Sequence, residues 1–241
     1  MQILVFVLIA ALVGLGIWYS YYRKRQRRLD LATFARQYQL EYSQVDGVGL
    51  IGYPFHLFSR GDGRGCENLL EGQWQGLPMR EADYWYYDES SDSEGRRTKS
   101  YHYFSVVVAD LGVQCPSAVS IEKENLMTRL ADHVGLHDIE FESEQFNREF
   151  NVKSKDREFT FKLVDDRMMQ WLLETGGSFG FEVAGPWLLV YCKRLQPMAL
   201  VPLFGTAKGF TDHLPRLVRT EYGQAGPGSQ AGSAETERSP S

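Results

Sequence analysis

An uninterrupted apolar stretch opens the chain and changes abruptly to aromatic and basic residues. Residues 3–19, ILVFVLIAALVGLGIWY, carry no charge, and residues 20–22 extend the stretch to about the twenty that span the hydrocarbon core of a bilayer. Residues 23–28, RKRQRR, are basic at five of six positions. This pattern predicts a single transmembrane helix over residues 1–22, followed by a basic juxtamembrane cluster over residues 23–28.

The aromatic and basic residues mark a membrane–water interface, because rings favour the headgroup layer and basic residues remain on the cytoplasmic side. The predicted interface residues are Trp18, Tyr19, Tyr21, Tyr22, Arg23, Lys24, Arg25, Arg27 and Arg28. No basic residue precedes the apolar stretch and no small-residue cleavage site follows it, so we expect a retained anchor rather than a cleaved signal peptide. The N-terminus is then outside the cell and the rest of the chain is cytoplasmic.

Residues 29–222 show the strand and helix patterns of one α+β domain. Four runs of β-branched or aromatic residues are separated by turn sequences, which favours a mainly antiparallel sheet. The runs are residues 51–58, 67–74, 79–87 and 99–110. The fourth run is apolar on both faces, so we expect a central strand. A closing hairpin is predicted over residues 179–194, with its turn at Ala184, Gly185 and Pro186.

Apolar residues at helical spacing predict several short helices around this sheet. They lie at residues 31–38, 120–135, 146–150, 165–176 and 210–218. Ser120 is the predicted N-cap of the second helix because acidic residues follow it in the first turn. Residues 223–241 contain no apolar residue larger than alanine and are predicted to be a disordered tail.

Charge is unevenly distributed along the chain. The formal net charge is −5, and the cluster at residues 23–28 contributes +5, so the remaining residues sum to −10. Anionic lipid should be attracted to the cluster alone, by about 1 kcal/mol per basic residue. No nucleic-acid partner is expected. Cys66, Cys115 and Cys192 are far apart, as expected for isolated core positions in a reducing compartment.

No motif in the chain identifies a reaction. The glycine-rich segments SRGDGRG and GGSFG lack the spacing that wraps phosphates and are interpreted as tight turns. His133 and His137 have the spacing of two metal ligands on a helix, but Gly135 between them is expected to end that helix. No nucleophile motif is present. We therefore predict no cofactor and no metal, and assign no catalytic residue.

Two polar or aromatic segments are candidates for recognition. The loop DESSDSEGRRT, residues 88–98, is the best candidate for contact with a partner. The run YWYY, residues 84–87, is interpreted as half core and half sheet surface, with a groove for a peptide or lipid as the alternative. Arg148 and Asp156 lie among phenylalanines, and we predict that they form a structural ion pair.

Residues 141–173, which begin FESEQFNREFNVKSKDREFTF, resemble a family of uncharacterised bacterial single-pass membrane proteins. The matching positions are Phe141, Ser143, Phe146, Asn147, Arg148, Phe150, Val152, Asp156 and Phe159. Asp166 stands where relatives often have proline, which should change how the following helix starts. The resemblance implies an inner-membrane anchor and a cytoplasmic domain, and no activity.

Three functions fit these observations. The leading hypothesis is a membrane-anchored cytosolic binding or scaffold module with a protein partner, in contact with membrane lipid through residues 1–28. The alternatives are a membrane-tethered, hydrolase-like enzyme without a recognisable motif, and a lipid-binding module at the inner leaflet. A lipid-binding module should have a basic opening near residues 23–28, whereas an enzyme should have a deep pocket with converging polar groups.

Overall fold

A nine-stranded antiparallel sheet and a long N-terminal helix organise the computed structural model, which describes residues 2–92, 94–123, 136–175 and 179–223. Only the backbone is described at residues 2–4. In chain order the strands are β1 (Glu41–Val45), β2 (Gly63–Trp74), β3 (Leu77–Ser91), β4 (Arg97–Asp110), β5 (Val119–Lys123), β6 (His137–Asp138), β7 (Phe150–Ser154), β8 (Gly180–Ala184) and β9 (Trp187–Lys193). They lie in the order β1-β2-β3-β4-β9-β8-β5-β7-β6, and the predicted α+β class is confirmed.

The described residues form six α-helices, α1 (Gln2–Tyr38), α2 (Glu144–Glu149), α3 (Arg157–Leu163), α4 (Asp166–Thr175), α5 (Val201–His213) and α6 (Arg216–Tyr222). Three short 3-10 helices lie at Leu50–Gly52, Leu57–Ser59 and Pro197–Ala199. The predicted short helices near residues 146 and 165 are confirmed. The predicted helix at 210–218 is divided between α5 and α6, because Pro215 interrupts the run.

Helix α1 runs without a break from the apolar stretch into the folded domain. Its segment Val5–Tyr38 is long and apolar enough to cross a membrane, and the apolar window is not buried by the rest of the chain. The helix ends where Gln39 adopts a left-handed conformation, with φ of 57°. The Leu40 amide then donates to the Ala35 carbonyl at 2.8 Å, which closes the last turn in a Schellman arrangement.

The two faces of the sheet carry separate hydrophobic cores. One face packs against α1 to α6, with Phe34, Phe204 and Phe210 among its largest buried rings. The other face is covered over β2, β3, β4 and β9 by residues 50–58. Strand β4 lies between β3 and β9, with Val107 on the first core and Val108 on the second. The predicted central position of this strand is confirmed.

Three sequence predictions differ from the structure. Residues 51–58 do not form a strand, because 3-10 helices occupy both ends of this segment and a buried carboxylate accepts the amides of His56 and Leu57. Ser120 is not a helix N-cap but lies in β5, paired with β7 and β8. The rest of that predicted helix, residues 124–135, lies outside the described residues. Residues 88–98 are mostly strand, since β3 and β4 pair up to Ser91 and Arg97.

Candidate functional site

A cleft of about 990 Å³ separates the juxtamembrane part of α1 from the sheet. The α1 side chains that line it are Tyr19, Ser20, Tyr22, Arg23, Lys24, Gln26, Arg27, Arg28 and Asp30. The opposite wall comes from β2, β3, β4 and the segment after β9, and comprises Glu67, Asn68, Trp85, Tyr101, Tyr103, Arg194, Leu195 and Gln196. The cleft is therefore built at the junction between the apolar N-terminal helix and the domain.

Helical spacing decides which residues of α1 face the sheet. Residues 19, 22, 23, 26, 27 and 30 recur three or four apart and line the cleft. Trp18, Tyr21 and Arg25 are absent from its walls. The nine predicted interface residues thus divide into six that line the cleft and three on other faces of the helix.

A buried ion pair holds α1 against the sheet at the base of the cleft. The Arg27 Nε donates to Asp83 Oδ2 at 2.6 Å, and a second guanidinium nitrogen pairs with Asp83 Oδ1. Arg27 also donates to the Leu195 carbonyl at 2.8 Å. The two charged side chains are 14% and 3% exposed. Although its place in the basic cluster suggested lipid contact, Arg27 is bound to the protein.

Asn68 and Tyr42 extend the hydrogen-bond network around the Asp83 carboxylate. Asn68 adopts a positive φ of 60° where the register of β2 against β3 shifts, and its Nδ2 donates to Asp83 Oδ2 at 2.9 Å. The Tyr42 hydroxyl donates to Asn68 Oδ1 at 2.9 Å. A bulge can redirect a side chain in this way. The irregularity in β2 therefore gives the buried carboxylate a second hydrogen-bond donor.

Glu81 is a buried acid two residues before Asp83 on the same face of β3. Burial, and then the nearby Asp83 charge, raises the pKa of Glu81 well above its usual range. Within the described ranges, neither carboxyl oxygen of Glu81 has a hydrogen-bond partner. Burial therefore disfavours the charged form of Glu81, and the hydrogen-bonded partner of the Arg27 guanidinium is Asp83.

Aromatic rings form the sheet wall of the cleft. Trp85 and Tyr87 alternate along β3 with Tyr84 and Tyr86, which are buried in the opposite core. Tyr101 and Tyr103 of β4 are 48% and 42% exposed. The prediction that residues 84–87 are half core and half surface is therefore confirmed. The surface half of the run contributes Trp85 to the cleft.

Strand glycines make room for two of these rings. Gly63 and Gly65 of β2 pair with Tyr87 and Trp85. A Cβ atom at Gly63 would lie 2.4 Å from Tyr87 Cε1, and one at Gly65 would lie 2.9 Å from Trp85 Cζ2. The rings therefore lean across β2, which requires glycine at both positions.

Arg148 and Asp156 are placed apart from the cleft. Asp156 is the N-cap of α3, and its Oδ1 accepts from the Phe159 amide at 2.9 Å. Arg148 lies exposed on α2, and across the described ranges no ion pair joins it to Asp156. In the structure the Asp156 carboxylate caps α3, a role that differs from the predicted ion pair with Arg148.

A second cavity, of about 680 Å³, lies on the other face of the sheet. Segments 51–59 and 116–120 and strand β8 contribute to its lining. Glu182, 4% exposed, accepts from the His56 amide at 2.5 Å and the Leu57 amide at 3.0 Å. Burial raises the pKa of Glu182 to about 7, although these two amides act in the opposite direction.

The described part of the chain contains no group of three His, Cys, Asp or Glu residues that could hold a metal ion. His137 lies in β6, and His133, its predicted partner in sequence, lies outside the described residues. Cys66, Cys115 and Cys192 are all free thiols, and burial raises the pKa of Cys115 and of Cys192 to about 12. These two thiols are therefore protonated and unreactive at neutral pH.

Several residues in or near the cleft could not have been identified as site residues from the sequence around them. Asp83, Glu67 and Arg194 come from three different strands or strand ends, and only the sheet order brings them near α1. The spacing of Tyr19, Tyr22 and Arg23 on one helix face was the available signal. It would have separated Tyr19, Tyr22, Arg23 and Arg27 from Tyr21 and Arg25, whereas Lys24 and Arg28 line the cleft from another side of the helix.

No protein-family model matches the chain, and no curated protein sequence matches it. Among solved structures, the crystal structure of the mycobacterial trehalose monomycolate transport factor A, TtfA, is similar, with a TM-score of 0.58 and 14% sequence identity. The similarity covers 78% of this chain and 94% of that chain. At this level of identity it establishes a shared fold, and function has to be argued from the site.

Proposed function

We propose that this protein is a membrane-anchored module that binds the phosphate-bearing headgroup of a membrane lipid in the cleft between α1 and the sheet. The observation that carries the proposal is a cleft with an aromatic wall and basic residues on the anchor helix itself. Arg23, Lys24 and Arg28 line it. Among the described residues none of the three has an ion-pair partner.

The height of the cleft along α1 supports a lipid ligand. The apolar stretch ends near Tyr22, and the ion pair to the sheet is at Arg27, about 8 Å further along a helix that rises 1.5 Å per residue. A headgroup layer is roughly 5–8 Å thick on each side of the hydrocarbon core. For a helix along the membrane normal, the cleft therefore lies at headgroup depth, where lipid can enter from the side.

The proposed orientation has the N-terminus outside and the domain in the cytoplasm, at the inner membrane. The basic residues beyond the apolar stretch support it, since such residues remain on the cytoplasmic side. A fold shared with a protein named as a trehalose monomycolate transport factor is compatible with work on lipids. The argument for this chain comes from its own cleft.

Removing two cleft charges should weaken lipid binding. We expect the Arg23→Gln/Arg28→Gln variant to lose about 3 kcal/mol, roughly 150-fold in affinity, because two charge-assisted hydrogen bonds to the phosphate are removed. The measurement is native mass spectrometry of the full chain released from detergent micelles. It compares a mixture of phosphatidylethanolamine and phosphatidylglycerol with diacylglycerol, all with the same acyl chains.

Arg25→Gln is the matched control, because it removes the same charge at the same depth from a residue outside the cleft. We expect it to remove only the general attraction of one basic residue near the surface, about 1 kcal/mol or roughly fivefold in phospholipid affinity. Equal losses for Arg25 and for each cleft arginine would indicate a general attraction to anionic surfaces. That result, or diacylglycerol binding as well as the phospholipids, would refute the proposal.

A second candidate function, the protein scaffold, is favoured by one surface. Phe161 and Leu217 are 39% and 50% exposed and line a groove of about 650 Å³ between α3 and α6. Exposed apolar residues at a groove are typical of protein contacts. The groove lining carries charges of both signs, with Arg167 and Arg216 beside Glu158 and Asp165.

The scaffold has its own test. In native membranes, crosslinking of the tagged full chain should recover a specific protein, and Phe161→Ser/Leu217→Ser should lower its yield about tenfold, since two apolar anchors are lost. Val45→Ser, at an exposed position on the edge strand β1, is the control. A yield unchanged in the double variant would exclude this groove as the contact surface.

A further inference from the structure

The cleft carries charges of both signs, which a site for a purely anionic headgroup does not require. Glu67 of β2 is half-buried and lines the cleft wall opposite Arg23, Lys24 and Arg28. Within the described part of the chain, Glu67 forms no ion pair and no side-chain hydrogen bond. Arg27 is close enough to interact electrostatically with Glu67, but the Glu67 carboxylate oxygens remain available to a donor that enters the cleft.

An aromatic ring lies beside this carboxylate. Glu67 and Gly65 are two residues apart on the same face of β2, and the Trp85 ring covers Gly65. A ring that leans across a neighbouring strand presents a face to the space above the sheet. Trp85 and Glu67 therefore lie near each other on the same face of the sheet, and both line the cleft.

The same aromatic wall already attracts cations from the protein. Lys99 Nζ lies 4.1 Å from the centre of the Tyr87 ring, and Arg194 Cζ lies 4.5 Å from the centre of the Tyr103 ring. In the described ranges, no protein cation lies over Trp85. Tryptophan has the ring face with the strongest attraction for cations. Trp85 and Glu67 together therefore form a candidate site for an ammonium group.

We infer that the headgroup bound in the cleft is zwitterionic, with its phosphate at Arg23 and Arg28 on α1 and its ammonium between Trp85 and Glu67 on the sheet. The ligand class is an amine-bearing phospholipid such as phosphatidylethanolamine. This inference depends on the proposed lipid-binding function and adds the identity of the headgroup to it. Both charges of such a headgroup find an opposite charge within one cleft.

Headgroup preference tests the inference. Native mass spectrometry of the full chain is performed with phosphatidylethanolamine and phosphatidylglycerol of identical acyl chains. Unaltered protein should retain phosphatidylethanolamine about tenfold better, and Glu67→Gln should abolish this preference while phosphatidylglycerol binding stays within about twofold. Glu71→Gln, on the same strand but outside the cleft, should keep the preference. Trp85→Leu should weaken phosphatidylethanolamine selectively.

The possible outcomes separate the two proposals. Equal or better binding of phosphatidylglycerol by the unaltered protein, still lost in Arg23→Gln/Arg28→Gln, would overturn the zwitterionic headgroup and leave the lipid-binding proposal standing. Failure to retain either phospholipid would overturn both. Soluble glycerophosphoethanolamine serves as a competitor. If it displaces phosphatidylethanolamine at equal concentration, the ligand is a soluble phosphoamine, and the lipid assignment is wrong.

Discussion

Replacing Arg27 with alanine is expected to destabilise the domain by about 3–5 kcal/mol, because the change leaves the Asp83 carboxylate buried without its cationic partner. Asp83 is 3% exposed on its side chain, and Asn68 would remain as a neutral donor. The measurement is urea unfolding of the full chain in detergent micelles, followed by tryptophan fluorescence.

Arg25→Ala is the control for this prediction. Arg25 belongs to the same basic cluster but is exposed, so its loss should change the free energy of unfolding by less than about 0.5 kcal/mol. A double variant, Arg27→Met/Asp83→Leu, should recover most of the lost stability, since apolar groups replace both charges. Equal small effects at positions 25 and 27 would show that the ion pair does not hold α1 on the sheet.

The stability of the protein should fall as pH rises from about 5 to 8, with Glu182 as a main cause. The pKa of Glu182 is raised from 4.5 to about 7, chiefly by burial. Between those values the folded state binds more protons than the unfolded state, so stability is fully present below pH 4.5 and is lost as pH rises through 7. At 1.36 kcal/mol per pKa unit the effect amounts to about 3 kcal/mol.

Glu182→Gln isolates this contribution, because glutamine does not titrate and keeps one of the two oxygen acceptors that bind the amides of His56 and Leu57. Relative to the unaltered protein, the variant should gain about 3 kcal/mol of stability between pH 5 and pH 8. Urea unfolding in buffered detergent micelles at each pH measures the difference. The exposed Glu158→Gln is the control and should show no such change. A pH profile of Glu182→Gln parallel to that of the unaltered protein would contradict the assignment.

The Arg27–Asp83 pair bears on function as well as on stability. It lies below the cleft and fixes the distance between α1 and the aromatic wall. If a flexible linker joined the helix to the domain, the domain could move away from the helix, and the cleft would not form. In this fold α1 is one wall of the cleft, so under the proposed function membrane attachment and headgroup binding would depend on the same contact.

Elements set by close neighbours in the chain could be predicted. The hairpin at 179–194 is confirmed, with Gly185 in its turn at a φ of 57°. Asp165 caps α4, as its position before an apolar run indicates, and its Oδ1 accepts from the Met168 amide at 2.8 Å. A turn or a cap is decided within a few residues, which a single sequence displays.

Elements set by distant partners could not be predicted. A serine followed by acidic residues, as at Ser120, is compatible with a helix start and with a strand. Pairing with β7 and β8 makes this segment a strand. Residues 51–58 have the composition of a strand, but Glu182, more than 120 positions away, accepts two of their amides. At such segments tertiary contacts override the intrinsic secondary-structure propensity of the residues.

The sequence by itself determined the anchor, the basic cluster, the α+β class and the aromatic run, because apolar length, charge and side-chain alternation are local properties. Tertiary structure alone decided that Arg27 reaches Asp83, 56 positions later, and that Glu67, Trp85 and Arg194 face the anchor helix. The order of strands in the sheet sets those distances. That order follows from burying both faces of the sheet at once, which no single segment of the chain encodes.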